Sequence, residues 1–363
     1  MEILFCFLDS SNLPPKSPGN QGNSSSSLCS LSSDSIPVCV LETPSLITLE
    51  LTGPFCCEFP PNPTIRLPNL KTLALNLLHV DPYLMAKVVN SCPLLECLSM
   101  ELIWGEHDEL VVEISAPNLK SLNVTMSGYS EDCKFFIDAP KLEHVLLHGR
   151  FAFYHFVNNQ TALIDADIGF CFSTMVDRKD YLTHLSTILQ KISSVKTIHL
   201  LDNIGVLNSI DYVEASALKC FCNLTKLRIT RVSLDYLKWE SPIPEFLLAK
   251  LEVVEFKELD GDEDDLALLD YNLSKAKVLK ELSVYVTYSD DNESDEEERE
   301  RYELWKEFSF CKKLFRLSRP STCEIKVFGE YISTSSSNFQ YVSMVCRIDC
   351  FEKGETVYDM WCE

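Results

Sequence analysis

Five short segments of the chain repeat one pattern in register, and that pattern restricts the fold more than any other feature. They read Pro44-Ser-Leu46-Ile-Thr-Leu49-Glu-Leu51, Pro68-Asn-Leu70-Lys-Thr-Leu73-Ala-Leu75, Pro93-Leu-Leu95-Glu-Cys-Leu98-Ser-Met100, Pro117-Asn-Leu119-Lys-Ser-Leu122-Asn-Val124 and Pro140-Lys-Leu142-Glu-His-Val145-Leu-Leu147. Their first leucines are spaced by 24, 25, 24 and 23 residues. A looser series continues the pattern. It comprises Leu163 with Ala166 and Ile168, Val195 with Ile198 and Leu200, Leu224 with Leu227 and Ile229, Leu251 with Val254 and Phe256, and Leu279 with Leu282 and Val284.

Each unit ends in alternating apolar and polar positions, the period of a strand with one buried face. Repeats of roughly 20–29 residues with this leucine spacing are leucine-rich repeats. The predicted fold class is an α/β repeat: a leucine-rich-repeat solenoid with a parallel concave sheet, mixed convex helices and strands, and a C-terminal cap. Such repeats pack only on their neighbours, so a chain of 363 residues needs no single large core. On the convex side, Asp81-Pro82 predicts a helix start, with a capping residue followed by proline at the first helical position. Lys179 to Ser193 predicts a second helix, while Leu110 to Ile114 and Cys133 to Ile137 predict extra strands.

Charge narrows the classes of partner. The formal net charge is −22, and a surface so acidic repels nucleic-acid phosphates. The excess is concentrated: Glu258 to Glu303 holds 17 acidic and 5 basic side chains. The 16 cysteines form no C-x-x-C pair, and Cys97, Cys220 and Cys323 lie in apolar runs. They read as free, core-like thiols of a reducing compartment, cytoplasmic or nuclear. No run approaches the roughly 20 apolar residues of a membrane helix, and the opening residues carry no basic signal-peptide region.

The ends differ from the middle. Residues 1–35 are serine-rich with few large apolar groups, and disorder is expected there. The solenoid is expected over 36–256, a C-terminal cap over 257–328 with an acidic loop at 289–303, and a tail of unassigned structure over 329–363. Within the acidic run, Ser294-x-x-Glu297 has the form of a capping box. Leu304, Trp305, Phe308, Cys311 and Phe315 follow at helical spacing. Ser294 is also a candidate site for an acid-directed kinase.

Two segments join the repeats: Leu273-Ser-Lys-Ala-Lys-Val-Leu-Lys-Glu-Leu282 and Cys311-Lys-Lys-Leu-Phe-Arg-Leu-Ser-Arg-Pro-Ser-Thr-Cys-Glu-Ile-Lys-Val-Phe328. Together they resemble the plant FBD module that closes the F-box/FBD/LRR proteins, with Arg319 to Ile325 its most specific part. The resemblance covers about Ile36 to Phe328. It implies a ubiquitin-ligase substrate receptor whose repeats hold a protein and whose F-box docks on a cullin adaptor. Residues 1–35 show no F-box pattern, so contact with the adaptor is not expected from them.

No nucleotide-binding glycine loop, H-E-x-x-H motif or serine–histidine–acid set is present, so no enzyme and no cofactor is expected. Asp260-Gly-Asp262-Glu-Asp264-Asp265 falls short of a calcium loop, with Asp265 at the sixth position and Tyr271 at the twelfth. It reads as a solvated acidic turn, and His144 and His148 as ordinary polar positions. The residues between the strand leucines should line the concave face. Its early rungs are small and neutral, while its later rungs carry charge. The expected partner-contacting residues are Asp165, Asp167, Thr197, His199, Lys226, Arg228 and Glu255. The expected function is a non-catalytic protein-interaction scaffold; the alternative is a small-molecule sensor with a cavity in the solenoid.

Overall fold

A computed structural model of the chain describes residues 2–8, 26–31, 38–56, 64–78, 82–104, 110–128, 133–150, 152–171, 178–201, 219–231, 243–287 and 296–338. These residues fall into two compact units, Met1–Ile198 with Ser209–Asn223, and His199–Asn208 with Leu224–Glu363.

In the first unit the strands are β1 (Glu2–Leu8), β2 (Ser26–Leu31), β3 (Leu46–Cys56), β4 (Thr72–Leu78), β5 (Cys97–Trp104), β6 (Leu110–Ser115), β7 (Ser121–Gly128), β8 (Cys133–Asp138), β9 (His144–Arg150), β10 (Phe153–Phe156) and β11 (Asp165–Cys171). The next strand, β12 (Thr197–Leu201), contains the boundary between the units. The repeat strands stack in parallel in the order β11-β9-β7-β5-β4-β3, with β1 and β2 beyond. Each rung is in register with the next, so Leu73 lies opposite Leu98, Leu98 opposite Leu122, and Leu122 opposite Val145. These side chains are at most 2% exposed, as the alternating pattern requires.

The repeated proline has a specific place. In all five regular units the first leucine donates its backbone N–H to the carbonyl three residues back, from Leu46 N to Thr43 O, through Leu95 N to Cys92 O, to Leu142 N to Ala139 O. Pro44, Pro68, Pro93, Pro117 and Pro140 each take the second position of that turn, where a fixed φ near −65° is pre-set. Asn69 and Asn118 then donate to the carbonyls of Pro44 and Pro93, at 2.8 and 3.0 Å, tying each turn to the one before.

The connections follow the sequence closely. Pro82–Asn90 and Arg178–Lys191 are helices, with Val88, Val89, Leu185, Ile188 and Leu189 buried. The two expected extra strands are β6 and β8, and they form a separate parallel sheet in the order β10-β8-β6. Phe135, Tyr154 and Phe170 stack beneath it, at 5.0 and 5.5 Å between rings.

In the second unit the strands are β13 (Lys226–Thr230), β14 (Val253–Leu259), β15 (Glu281–Val286), β16 (Glu324–Phe328) and β17 (Ser333–Ser335). They pair in that order, all parallel except β17, which returns antiparallel on β16. Helices Glu263–Lys275 and Glu296–Leu314 occupy the long connections. In the second of these, Phe308, Cys311 and Leu314 are buried, but Trp305 is exposed.

Three expectations differ from the structure. Within residues 1–35, Glu2–Leu8 and Ser26–Leu31 run as strands; the residues between them, like Ser294 and 339–363, lie outside the described residues. The acidic run at Asp260 to Asp265 is the start of a 13-residue helix, and it is not wholly solvated. Asp262 caps that helix by accepting the backbone N–H of Asp265, whose own side chain is 1% exposed. Finally, of the three cysteines expected to be core-like, Cys323 is buried while Cys97 and Cys220 are exposed. Cys97 occupies an outward position of β5, and strand alternation decides its fate over its apolar character.

Candidate interaction face

Strand alternation that buries the leucines sends the intervening residues to the opposite face of the sheet. In the first unit, one outward row runs Thr48, Thr72, Cys97, Ser121, His144, Asp165, and the next runs Glu50, Ala74, Ser99, Asn123, Leu146, Asp167. Asp165 sits beside His144, with Oδ2 2.5 Å from Nδ1. Asp167 is met diagonally by His148, with Oδ1 2.5 Å from Nε2. Both histidines therefore belong to the charged end of this face and are not isolated polar positions. Thr197 is half-buried, and its backbone N–H donates to Ile164 O.

The second unit carries the denser cluster. Its outward rows run Lys226, Val253, Glu281, Glu324 and Arg228, Glu255, Ser283, Lys326. Arg228 Nε donates to Glu255 Oε2 at 2.7 Å, and Lys226 Nζ lies 3.3 Å from the same oxygen. Lys257 Nζ is 3.9 Å from Oε1 of that carboxylate. Burial alone would raise the Glu255 carboxyl, but the hydrogen bond from Arg228 and the charges of Arg228 and Lys226 outweigh it and hold it below the usual carboxylate range. At the other side of the rows Lys326 Nζ pairs with Glu281 at 2.7 Å. A third row adds Tyr285 and Phe328, stacked at 4.6 Å, with Lys257 Nζ 5.3 Å from the tyrosine ring centre. His199 Nε2 lies 2.8 Å from Thr230 Oγ1.

Lys226, Arg228 and Glu255 thus come together as one ion cluster, while Asp165 and Asp167 form a separate group with His144 and His148. The sequence reading missed Lys257, Tyr285, Lys326 and Phe328. Lys257 and Tyr285 lie two positions beyond Glu255 and Ser283, outside the repeat pattern, and Glu324-Ile-Lys-Val-Phe328 lacks the preceding leucine or valine of the other rungs. Its alternation, with Ile325 and Val327 fully buried, was the signal that could have found it.

Two other surfaces stand apart. A groove of about 370 Å³ lies beside the turn prolines Pro44, Pro68 and Pro93, with Arg66 on its wall. On the β6-β8-β10 sheet, Val111 and Phe136 face outward, 37% and 41% exposed. Among the described residues no helix is long and apolar enough to cross a membrane.

Residues 26–167 match the family model described as the leucine-rich repeats of the FBD-associated F-box protein At5g56370, and residues 238–284 match the FBD model. The FBD match begins before Lys257, where the cap was expected, and so includes β14, helix Glu263–Lys275 and much of β15. Similar curated proteins come from Arabidopsis thaliana. The probable FBD-associated F-box protein At1g32375 is 25% identical over 315 residues, covering 77% of this chain and 68% of that protein. The F-box/FBD/LRR-repeat protein At2g26030 is 27% identical over 279 residues, covering 65% and 61%. The FBD-associated F-box protein At4g13985 is 28% identical over 226 residues, covering 58% and 46%. The chain therefore spans about half to two thirds of the length of these relatives. No solved structure matches.

Proposed function

Because the chain carries the leucine-rich repeats and FBD domain of the plant F-box/FBD/LRR-repeat proteins, we propose that it is a non-catalytic scaffold that holds a protein partner on the outward face of its repeat strands. One observation carries this reading. The outward rows present charged and polar side chains in register, while the core is already filled by the inward leucines. Asp165, Asp167, Thr197, His199, Lys226, Arg228 and Glu255 are the proposed contacts. A sheet face of this kind offers extended contact area but encloses little, which suits a protein better than a small substrate. The ligase-receptor role belongs to the same proposal, with the partner as the protein to be ubiquitinated. A cytoplasmic or nuclear location fits the seven described cysteines that remain free thiols.

The test is affinity purification of the tagged full chain from plant tissue, beside an Asp165→Arg, Asp167→Arg double variant. A protein retained by the wild type and lost by the folded variant supports the reading. Recovery of cullin and its adaptor with the chain supports the ligase role, and their absence removes it. Identical retention by both forms overturns use of this part of the face. The small-molecule alternative rests on the groove beside Pro44 and Pro93, and it requires a ligand that raises the melting temperature of the purified chain.

A further inference from the structure

Lys226, Arg228 and Lys257 converge on Glu255, whose side chain is 8% exposed, while their own side chains are 30%, 41% and 36% exposed. One carboxylate compensates one of these three charges. With Lys326 the face carries four cations against Glu255, Glu281 and Glu324, in a chain whose net charge is −22. A positive excess is thus held on an acidic protein, and the deepest of its acids is consumed within the cluster. The aromatic pair Tyr285–Phe328 borders the same cations.

A second observation singles out the same place. Glu258 has φ of 59°, in the left-handed region that a non-glycine residue adopts only under strain. It lies where the β14–β15 register shifts, between Phe256 and Leu259. Such a bulge re-aims the side chain beside it, here Lys257, which lies over the Tyr285 ring. Phe256 and Leu259, three residues apart, are both fully buried across this bulge, and Lys257 is left on the outward side at the aromatic–cation corner.

Accepting the scaffold reading above, we propose that this face binds an acidic peptide segment of the partner, with an apolar or aromatic side chain between its carboxylates. Arg228 and Lys326 lie in one row, three strands apart. At about 4.8 Å per strand they are separated by roughly 14 Å. An extended peptide rises about 3.3 Å per residue, so carboxylates four residues apart reach both cations. The midpoint of that row falls between Glu255 and Ser283, and the Tyr285–Phe328 pair lies one row farther along β15 and β16, so a side chain between the carboxylates must be as long as phenylalanine to reach it.

The experiment is fluorescence anisotropy of the full chain with a fluorescein-labelled peptide of three Glu-Ala-Phe-Ala copies. The same peptide with lysine for glutamate is the control. Expected are binding that weakens as salt rises, no binding of the lysine peptide, and about tenfold weaker binding for Arg228→Gln and for Lys326→Gln. Both variants keep a hydrogen-bonding side chain, and circular-dichroism melting verifies their fold. The proposal is overturned if the glutamate peptide fails to bind, if the lysine peptide binds equally, or if both folded variants bind like the wild type. In those cases the scaffold reading still stands if the Asp165, Asp167 double variant loses its partner, so the two failures are distinguishable.

Discussion

The carboxylate of Glu307 accepts the backbone N–H of Ile332 at 2.8 Å, from a side chain with no exposed surface. The same carboxylate accepts N–H groups of Glu330 and Tyr331, so one helical side chain holds the whole turn between β16 and β17. Burial raises this carboxyl above its ordinary range, and the three donors partly offset that effect. Glu307→Ala leaves three buried or half-buried donors without their acceptor, and a loss of about 3–5 kcal/mol is expected in urea denaturation. Gly329→Ala gives a related result, because a Cβ there would stand 2.4 Å from the Glu307 carboxyl carbon. A wild-type midpoint for both variants would show that the turn is held by other contacts.

Two buried titrating groups act on stability in opposite directions. Burial pushes the Asp265 carboxyl up to about 6, above its ordinary 3.8. Its folded value exceeds the unfolded one, so its contribution is fully present below about 4 and is lost as pH rises through 6. The full span is on the order of 3 kcal/mol. Asp265→Asn should remove that slope, stabilising the chain at pH 7.5 relative to wild type. His184 accepts the backbone N–H of Tyr154, and burial lowers its imidazole to about 4. Its contribution is present above 6.5 and is lost as pH falls towards 4. His184→Gln should flatten that acid limb. Urea midpoints from pH 4 to 8 separate the two variants, and unchanged slopes in both would refute these assignments.

Thiol reactivity should sort by burial. Burial raises Cys92 to about 12 and Cys323 to about 11, with little thiolate at neutral pH. Cys97, Cys220 and Cys222 are exposed. A brief iodoacetamide pulse on the native chain, read by peptide mass spectrometry, should label these three and spare Cys92, Cys133, Cys311 and Cys323. Early labelling of Cys92 would contradict its buried place at the end of the helix Pro82–Asn90, where its thiol donates to Val88 O.

Glu255 is the centre of its cluster, so its removal leaves Lys226, Arg228 and Lys257 facing one another. Glu255→Ala is therefore expected to destabilise the chain more than Arg228→Ala does. The double variant should be more stable than the sum of the two losses implies, with a coupling of about 1–3 kcal/mol. Strict additivity in a thermal double-mutant cycle would mean that the three cations do not share the carboxylate.

The rungs from Leu46 to Val284 were legible because strand burial has a period of two, and the inward leucines repeat it without exception. The helices at Pro82 and Arg178 were legible through a proline start and apolar spacing. The final rung was obscured because Thr322 stands where other units place leucine, and Cys323 is buried one residue later. The helix at Glu263 was hidden because an acidic run serves equally well as a turn or as a helix N-terminus favoured by the dipole. At the candidate face the sequence named Lys226, Arg228 and Glu255, which come together as one ion cluster, but not Lys257 or Lys326. Lys257 and Lys326 come from strands whose register depends on a bulge and on a rung 43 residues farther along, from Leu282 to Ile325.

The short return of β17 on β16 has a consequence for how the molecule behaves in concentrated solution. A parallel stack exposes unpaired N–H and C=O groups on its last strand, and such an edge invites strand addition from a second molecule. Three residues, Ser333–Ser335, run the opposite way and occupy those groups. Being antiparallel, polar and brief, they break the repeat that would otherwise template further copies. Glu307, by fixing the turn into β17, holds that covering strand in place, and its loss is expected to bare the edge as well as to weaken the fold.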